Sequence, residues 1–157
     1  MGGGTLSKRP IALLAGVLAV ALVAAGCGGG SSAPLTKAEL IKEGNAVCSN
    51  GSEQIKTEAA EFLKENHINR REVLGTAQYR ELTETVVTPT LQQETEEIRA
   101  LGAPNGEEKE VNALLDALEQ GIKNAEKYPN DIFKRAEALA EANKKANEYG
   151  LKECGKG

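Results

Sequence analysis

The feature that most limits the fold is a helical spacing of apolar residues that begins near residue 36 and continues almost to the C-terminus. In its first part an apolar residue recurs at every seventh position, at Ile41, Cys48, Ile55 and Phe62. Residues seven positions apart lie on one face of an α-helix. No segment alternates between apolar and polar residues as a strand does, and glycine and proline lie mostly at segment ends. The spacing therefore predicts an all-α fold.

The first predicted helix begins after Thr36. Thr36 and Glu39 form a capping-box pattern, in which the threonine hydroxyl and the glutamate carboxylate bond the free N–H groups at the helix start. The apolar spacing extends this helix to about Glu65, and residues 66–68 are predicted to form a turn. Residues 49–52 read Ser-Asn-Gly-Ser, and because these are poor helix formers they are a candidate break or bend.

Three more apolar segments follow, joined by short connections. The second begins near Asn69 and continues past Pro89, which predicts one kinked helix or else two shorter helices. The third follows a turn rich in glycine and proline, with Asn105 as its predicted cap. The fourth begins near Asp131 and ends at Gly150, where a left-handed cap is expected. Together the segments predict an up-down-up-down four-helix bundle with a kinked second helix.

Residues 1–26 have the pattern of an export signal. Lys8 and Arg9 are the only charged residues, and they precede a run of fifteen residues, 11–25, without a polar side chain. A helix that spans a membrane needs about 20 apolar residues, so this run is short for an anchor. A basic start, a short apolar segment and small residues at its end are typical of a secretory signal.

The end of this segment, Ala24-Ala25-Gly26-Cys27, resembles the lipobox of bacterial lipoproteins. The resemblance implies that residues 1–26 are removed and that the sulfur of Cys27 carries a diacylglycerol, with acyl chains such as palmitate. Two acyl chains are enough for a stable anchor. Residues 27–35, rich in glycine and serine, are then a flexible tether, and residues 36–157 are the helical domain. The expected location is the extracytoplasmic face of the cell membrane, with the membrane lipid as one partner.

Two of the three cysteines remain once Cys27 is assigned to the lipid. In the oxidising space outside the cytoplasm an even pair predicts a disulfide, here between Cys48 and Cys154. This bridge would fasten the start of the first helix to the end of the chain. The alternative is a pair of free buried thiols. A zinc site that includes His67 is disfavoured, because the three residues lie far apart without the usual ligand spacing.

The charge balance limits the classes of partner. The whole chain has a net charge of −4, which becomes −6 when Lys8 and Arg9 leave with the signal. Nucleic acid requires a basic surface, so it is not an expected partner. Aromatic residues make up only 3% of the chain, which leaves few side chains to stack on bases or sugars.

The sequence contains no arrangement of residues that is typical of an enzyme. A nucleophilic or acid–base mechanism needs at least two positioned groups, and His67 is the only histidine. We expect no cofactor and no metal. Two small acidic groups are predicted to be solvated helix faces, and they comprise Glu94, Glu96, Glu97, Glu107, Glu108 and Glu110.

Two segments carry a wider resemblance. LTKAELIKEGNAVC, which ends at Cys48, and ANEYGLKEC, which ends at Cys154, together with the lipobox resemble small helical lipoproteins of actinobacteria and related high-GC bacteria. The resemblance implies an extracytoplasmic, membrane-anchored protein whose second and third cysteines lie in the first helix and after a Tyr-Gly-Leu turn. It implies no catalytic activity.

The expected function is that of a non-enzymatic binding or interaction module for an unknown protein or small molecule. A kink at Pro89 would leave imperfect packing, so a groove is a hypothesis there. Its lining would be Val86, Val87, Pro89 and Leu91. The first alternative is a carrier that holds a small apolar ligand between helices. The second is a structural protein of the cell envelope without a specific ligand.

Overall fold

The computed structural model describes residues 34–69, 75–129 and 137–156, and every regular element in these ranges is helical. The predicted all-α class is therefore confirmed for this part of the chain. The elements are α1 (Lys37–Glu65), α2 (Thr76–Leu82), a π-helical segment (Thr83–Val87), α3 (Thr88–Leu101), α4 (Glu108–Lys127) and α5 (Ala140–Tyr149).

The start of α1 has the predicted capping box. The Thr36 hydroxyl accepts a hydrogen bond from the Glu39 N–H at 3.3 Å, and the Glu39 carboxylate accepts one from the Thr36 N–H at 2.8 Å. The helix continues through residues 49–52 without a break and ends at Glu65. The predicted turn follows, with His67 in a left-handed conformation (φ 56°). Both ends of α1 are thus where the local sequence places them.

The described part of the second helical stretch begins after Gly75. Gly75 has extended backbone (φ −76°, ψ 165°), and its N–H donates to the Gln78 side chain at 2.8 Å. Gly75 is thus the N-cap of a helix that begins at Thr76, and the predicted start near Asn69 leads into residues 70–74, which lie outside the described residues.

From Thr76 to Leu101 the backbone stays helical, but it changes register before Pro89. The Thr88 N–H bonds to the carbonyl five residues back, that of Thr83, and the Thr88 hydroxyl donates to the same carbonyl at 3.1 Å. Proline has no N–H and clashes with the carbonyl four residues before it in an α-helix. The wider π turn accommodates that ring without ending the helix, so the stretch is continuous. The predicted kink remains a prediction.

The start of α4 corrects another prediction. Asn105 does not cap this helix, because the turn extends two residues further: Gly106 has φ 83°, and the Glu107 N–H bonds to the Pro104 carbonyl at 3.0 Å. The helix begins at Glu108. Its predicted apolar stripe is confirmed as buried, at Val111, Leu114, Leu115, Leu118, Ile122 and Ala125.

The last helix is described from Ala140 onward, while residues 130–136 of the predicted fourth segment lie outside the described residues. Its end is as predicted. Gly150 has φ 113°, and the Leu151 N–H bonds back to the Ala146 carbonyl at 2.8 Å. This is the left-handed cap in which the following apolar residue folds onto the last turn.

The main core lies between α1, α3, α4, α5 and the chain end. Leu40, Ile98, Leu114 and Leu151 are among its most buried side chains. A smaller cluster of Phe62, Leu82 and Val86 joins the end of α1 to the π segment. The predicted disulfide is confirmed: Cys48 and Cys154 are bonded, with their Cα atoms 5.0 Å apart. The bridge fastens α1 to the chain end, next to the last turn of α5.

Candidate binding surface

The structure describes the four predicted groove residues but not the predicted lipidation site. Cys27 lies outside the described residues. Val86 and Val87 are buried, Leu91 is partly buried and Pro89 is exposed. None of the four groove residues lines either pocket described below.

Three helices meet at a pocket near the start of α1, which we call the lysine–tyrosine pocket. Its volume is about 270 Å³. Lys37 comes from α1, a second group from the first two turns of α4, and a third from the end of α5. The lining comprises Lys37, Lys109, Glu110, Ala113, Lys145, Glu148 and Tyr149. The capping box fixes the α1 side of the pocket, and the left-handed cap at Gly150 fixes the α5 side.

Tyr149 is the floor of this pocket and is only 7% exposed. The Lys37 ammonium lies 4.4 Å from the centre of the Tyr149 ring, within the range of a cation–π contact. The same ammonium is 3.1 Å from Oε2 of Glu107. Lys37 therefore connects an aromatic face with a carboxylate and closes one side of the pocket.

The Tyr149 hydroxyl and Glu107 influence each other. The hydroxyl is the largest influence that lowers the pKa of the Glu107 carboxyl, and Lys37 adds to it. Burial raises the pKa of the Tyr149 phenol, and the Glu107 carboxylate raises it further, so the phenol keeps its proton. The hydroxyl is nevertheless buried without a partner in hydrogen-bond geometry. The neighbouring acceptor is the Glu107 carboxylate, whose Oε2 likewise has no partner in hydrogen-bond geometry, so the two groups form a polar pair beside the pocket.

Charges of both signs surround the pocket. Lys145 pairs with Glu141 at 3.2 Å. The side chains of Lys109, Glu110 and Glu148 form no hydrogen bond or ion pair with any residue in the described ranges. The pocket therefore offers both donors and acceptors, which suits a polar group better than an apolar molecule. Within the described residues, no group of three or more His, Cys, Asp or Glu residues is placed to hold a metal ion.

A second, smaller pocket lies where α1 crosses α3 and has a volume of about 170 Å³. Glu94 reaches across from α3 and covers Gly51 of α1, where a Cβ atom would overlap the carboxylate. The Glu94 side chain forms no hydrogen bond or ion pair with any of the described residues. Burial raises the pKa of Glu94 to about 7, and the like charge of Glu97 adds to the shift.

The position of Glu94 corrects the prediction that this acidic group is a solvated helix face, and it explains why a glycine lies at position 51. Glu96 and Glu97 are exposed, as a solvated helix face requires, but Glu94 is partly buried. Gly51 is buried against it, so the glycine that looked like a weak point in α1 makes room for the carboxylate. The two residues are 43 positions apart in the chain, so only the packing of α1 on α3 relates them.

No protein family, curated protein or solved structure matches this chain. Within the described residues, no helix combines the length and the apolar character that crossing a membrane requires.

Proposed function

We propose that this chain is a bacterial lipoprotein, anchored through an acylated Cys27 on the extracytoplasmic face of the cell membrane. The observation that carries the proposal is the bridge between Cys48 and Cys154, which uses two of the three cysteines of the sequence and does not involve Cys27. A structural disulfide fits an exported protein. The remaining cysteine directly follows the small residues Ala24, Ala25 and Gly26 at the end of an apolar run, as a lipidation site does.

The helical domain is a non-enzymatic binding module in this proposal, and the lysine–tyrosine pocket is its binding surface. Three helices supply the lining, and the buried Tyr149 hydroxyl lies beside the Glu107 carboxylate without a partner in strict hydrogen-bond geometry. The pocket opens between charged side chains, so the partner presents a polar group there, either on a protein or on a small molecule. The proposed domain is residues 36–157, with its helices in up-down-up-down order and a kink at Pro89.

The carrier of a small apolar ligand is less well supported. It needs apolar space near Pro89, whereas Val86 packs in the cluster with Phe62 and Leu82. Val87 is buried as well. No observation on the described residues favours the third reading, a structural envelope protein. The binding module is therefore the function that we put to the test.

Mass spectrometry of the mature protein from its host membrane tests the anchor. We expect a chain that begins at Cys27 and carries an acyl mass, with two hydrogens missing for the disulfide. A Cys27→Ala variant should lack the acyl mass and leave the membrane fraction. A parent chain without an acyl group would overturn the proposed anchor.

The binding surface needs a separate test, made on the same lipidated protein under native conditions. A retained partner or small-molecule mass should be lost in Tyr149→Phe, which removes only the hydroxyl, and kept in Tyr128→Phe, which alters an exposed tyrosine. Equal retention by both variants would contradict the assignment of the pocket. An apolar adduct that survives Tyr149→Phe would favour the carrier.

A further inference from the structure

The last residues of the chain are docked on α1 by side chains as well as by the disulfide. Leu151 follows the left-handed Gly150 and is fully buried. It packs on Gly44 of α1, where an added Cβ would lie 2.7 Å from a Leu151 methyl carbon. The missing side chain at position 44 therefore forms the hole that the leucine fills.

Asn45, the next residue of α1, binds the tail backbone on both sides of Leu151. Its Oδ1 accepts a hydrogen bond from the Glu153 N–H at 2.8 Å. Its Nδ2 donates to the Gly150 carbonyl at 3.5 Å. The Asn45 amide thus satisfies the Glu153 N–H, and it makes a longer second contact with the Gly150 carbonyl, which also accepts a hydrogen bond from the Lys152 N–H at 3.0 Å. Glu153 is the residue before Cys154, and Asn45 lies three residues before Cys48.

We propose that these contacts form a non-covalent latch, made by Gly44, Asn45 and residues 150–153, which docks the tail before the disulfide exists. The bridge then locks a closure that side chains have already made. Without these contacts, residues 150–154 would extend from the end of α5 without a fixed conformation, and ordering them for bond formation costs conformational entropy. Asn45 is a positioning residue in this scheme, because it holds Cys154 opposite Cys48 without touching either sulfur.

The different burial of the two cysteines also determines which of them reacts first when the disulfide forms. Cys48 is only 4% exposed, whereas Cys154 is partly exposed. A thiolate of Cys154 attacks an external disulfide and releases one thiolate of that oxidant, which leaves a mixed disulfide on Cys154. The Cys48 thiolate then attacks the Cys154 sulfur and releases the second thiolate. Two electrons pass to the oxidant, and the two cysteine protons pass to solvent.

Thiol–disulfide equilibrium in a glutathione buffer tests the latch. The full-length chain carries Cys27→Ser and is purified in detergent, so that only Cys48 and Cys154 can react. We expect Asn45→Ala to lower the effective concentration of the two thiols about fivefold, the factor for one net hydrogen bond. Asn50→Ala, at an exposed position of the same helix, should leave it unchanged. Equal values for the two variants would overturn the role of Asn45.

Amide hydrogen exchange gives a readout that does not depend on sulfur chemistry. In a chain with all three cysteines changed to serine, we expect the Glu153 N–H to stay protected, because Asn45 still accepts its hydrogen bond. Adding Asn45→Ala should abolish that protection while the amides of α4 remain protected, which separates loss of the latch from unfolding. Exchange of Glu153 at the unprotected rate in the cysteine-free chain would overturn the proposal.

Two chains that each keep one cysteine of the pair test whether Cys154 reacts before Cys48. With Cys27→Ser present, Cys48→Ser leaves the accessible thiol and Cys154→Ser leaves the buried one. We expect the chain that keeps Cys154 to form a mixed disulfide with glutathione at least tenfold faster. Faster reaction of the chain that keeps Cys48 would contradict the proposed order.

Discussion

The Glu94 carboxylate lies against Gly51 of α1, where the backbone carries no side chain. Its neighbours on α1 are Val47, Asn50 and Gln54, none of which is charged, and Glu97 on its own helix carries the same charge. Removing a carboxylate from water without a partner favours its protonated form. Each protonation of Glu94 therefore relieves an unfavourable charge at the crossing of α1 and α3.

This arrangement makes the stability of the fold depend on pH. The pKa of Glu94 is about 7 in the folded protein, above its ordinary value, so its stabilising contribution is complete below about pH 4.5 and is lost as the pH rises to about 7. We expect Glu94→Gln to raise the free energy of unfolding at pH 8 by about 1–3 kcal/mol, a range discounted for partial exposure. At pH 4 the variant should match the parent.

Urea unfolding of both chains at pH 4 and pH 8 measures this effect. Glu96→Gln serves as the control, because Glu96 is exposed on the same helix and should show no difference between the two pH values. A Glu94→Gln effect of the same size at both pH values would indicate altered packing rather than a titrating carboxylate.

Gly51 provides an independent prediction at the same crossing. An alanine there would place its Cβ on the Glu94 carboxylate, so the glutamate side chain has to turn toward solvent. We expect Gly51→Ala to lower the pKa of Glu94 toward its ordinary value, as read from the carboxyl carbon in NMR titrations. Ser52→Ala, one residue along the helix and outside the pocket lining, should leave the pKa near 7. No change in Gly51→Ala would contradict the packing.

At the scale of the element, α1 depends on its N-terminal cap. The Thr36 hydroxyl satisfies one of the free N–H groups of the first turn, and Glu39 satisfies another. We expect Thr36→Ala to lower the free energy of unfolding by about 1 kcal/mol, within the range for N-cap residues. Thr57→Ala should cost less, because its hydroxyl bonds only the Glu53 carbonyl on an exposed face. Denaturant titrations compare the two variants, and equal losses would argue against a specific cap.

Elements that depend on neighbours in the chain could be predicted from the sequence. The cap at Thr36, the left-handed Gly150 and the apolar stripe of α4 each rest on residues within a few positions of one another. Asn105 misled because the Pro104 carbonyl and Gly106 extend the turn and move the helix start to Glu108. A short pattern does not determine which of two adjacent turns the backbone adopts.

Features that depend on a residue far away in the chain could not be predicted from the sequence. A proline in a helical pattern is compatible with either an ended or a widened helix, and the widened one is seen only in the fold, where Val86 and Val87 of the π segment are buried. Tyr149 looked like part of a turn motif until the fold placed Lys37 over its ring. The pairing of Gly51 with Glu94 likewise exists only once α1 crosses α3.

For the whole molecule, the chain end acts as the closing element. The disulfide and the latch both fasten it to α1, but they act on different states. The latch stabilises the folded protein through contacts of Asn45 and Leu151. A disulfide acts mainly by restricting the unfolded chain, and the restriction grows with the length of the closed loop. Loss of the bridge is therefore expected to lower stability without opening the folded structure.

The combined change Cys48→Ser and Cys154→Ser, in a chain that also carries Cys27→Ser, tests this division. For residues 106 positions apart we expect the free energy of unfolding to fall by about 2–5 kcal/mol, while the far-ultraviolet circular dichroism stays helical. Without the bridge the unfolded chain can expand further and expose more surface. The slope of the unfolding free energy against denaturant concentration should therefore rise or stay equal rather than fall. Cys27→Ser alone is the matched control. A loss below about 1 kcal/mol would mean that the latch, rather than the bridge, supplies most of the closure.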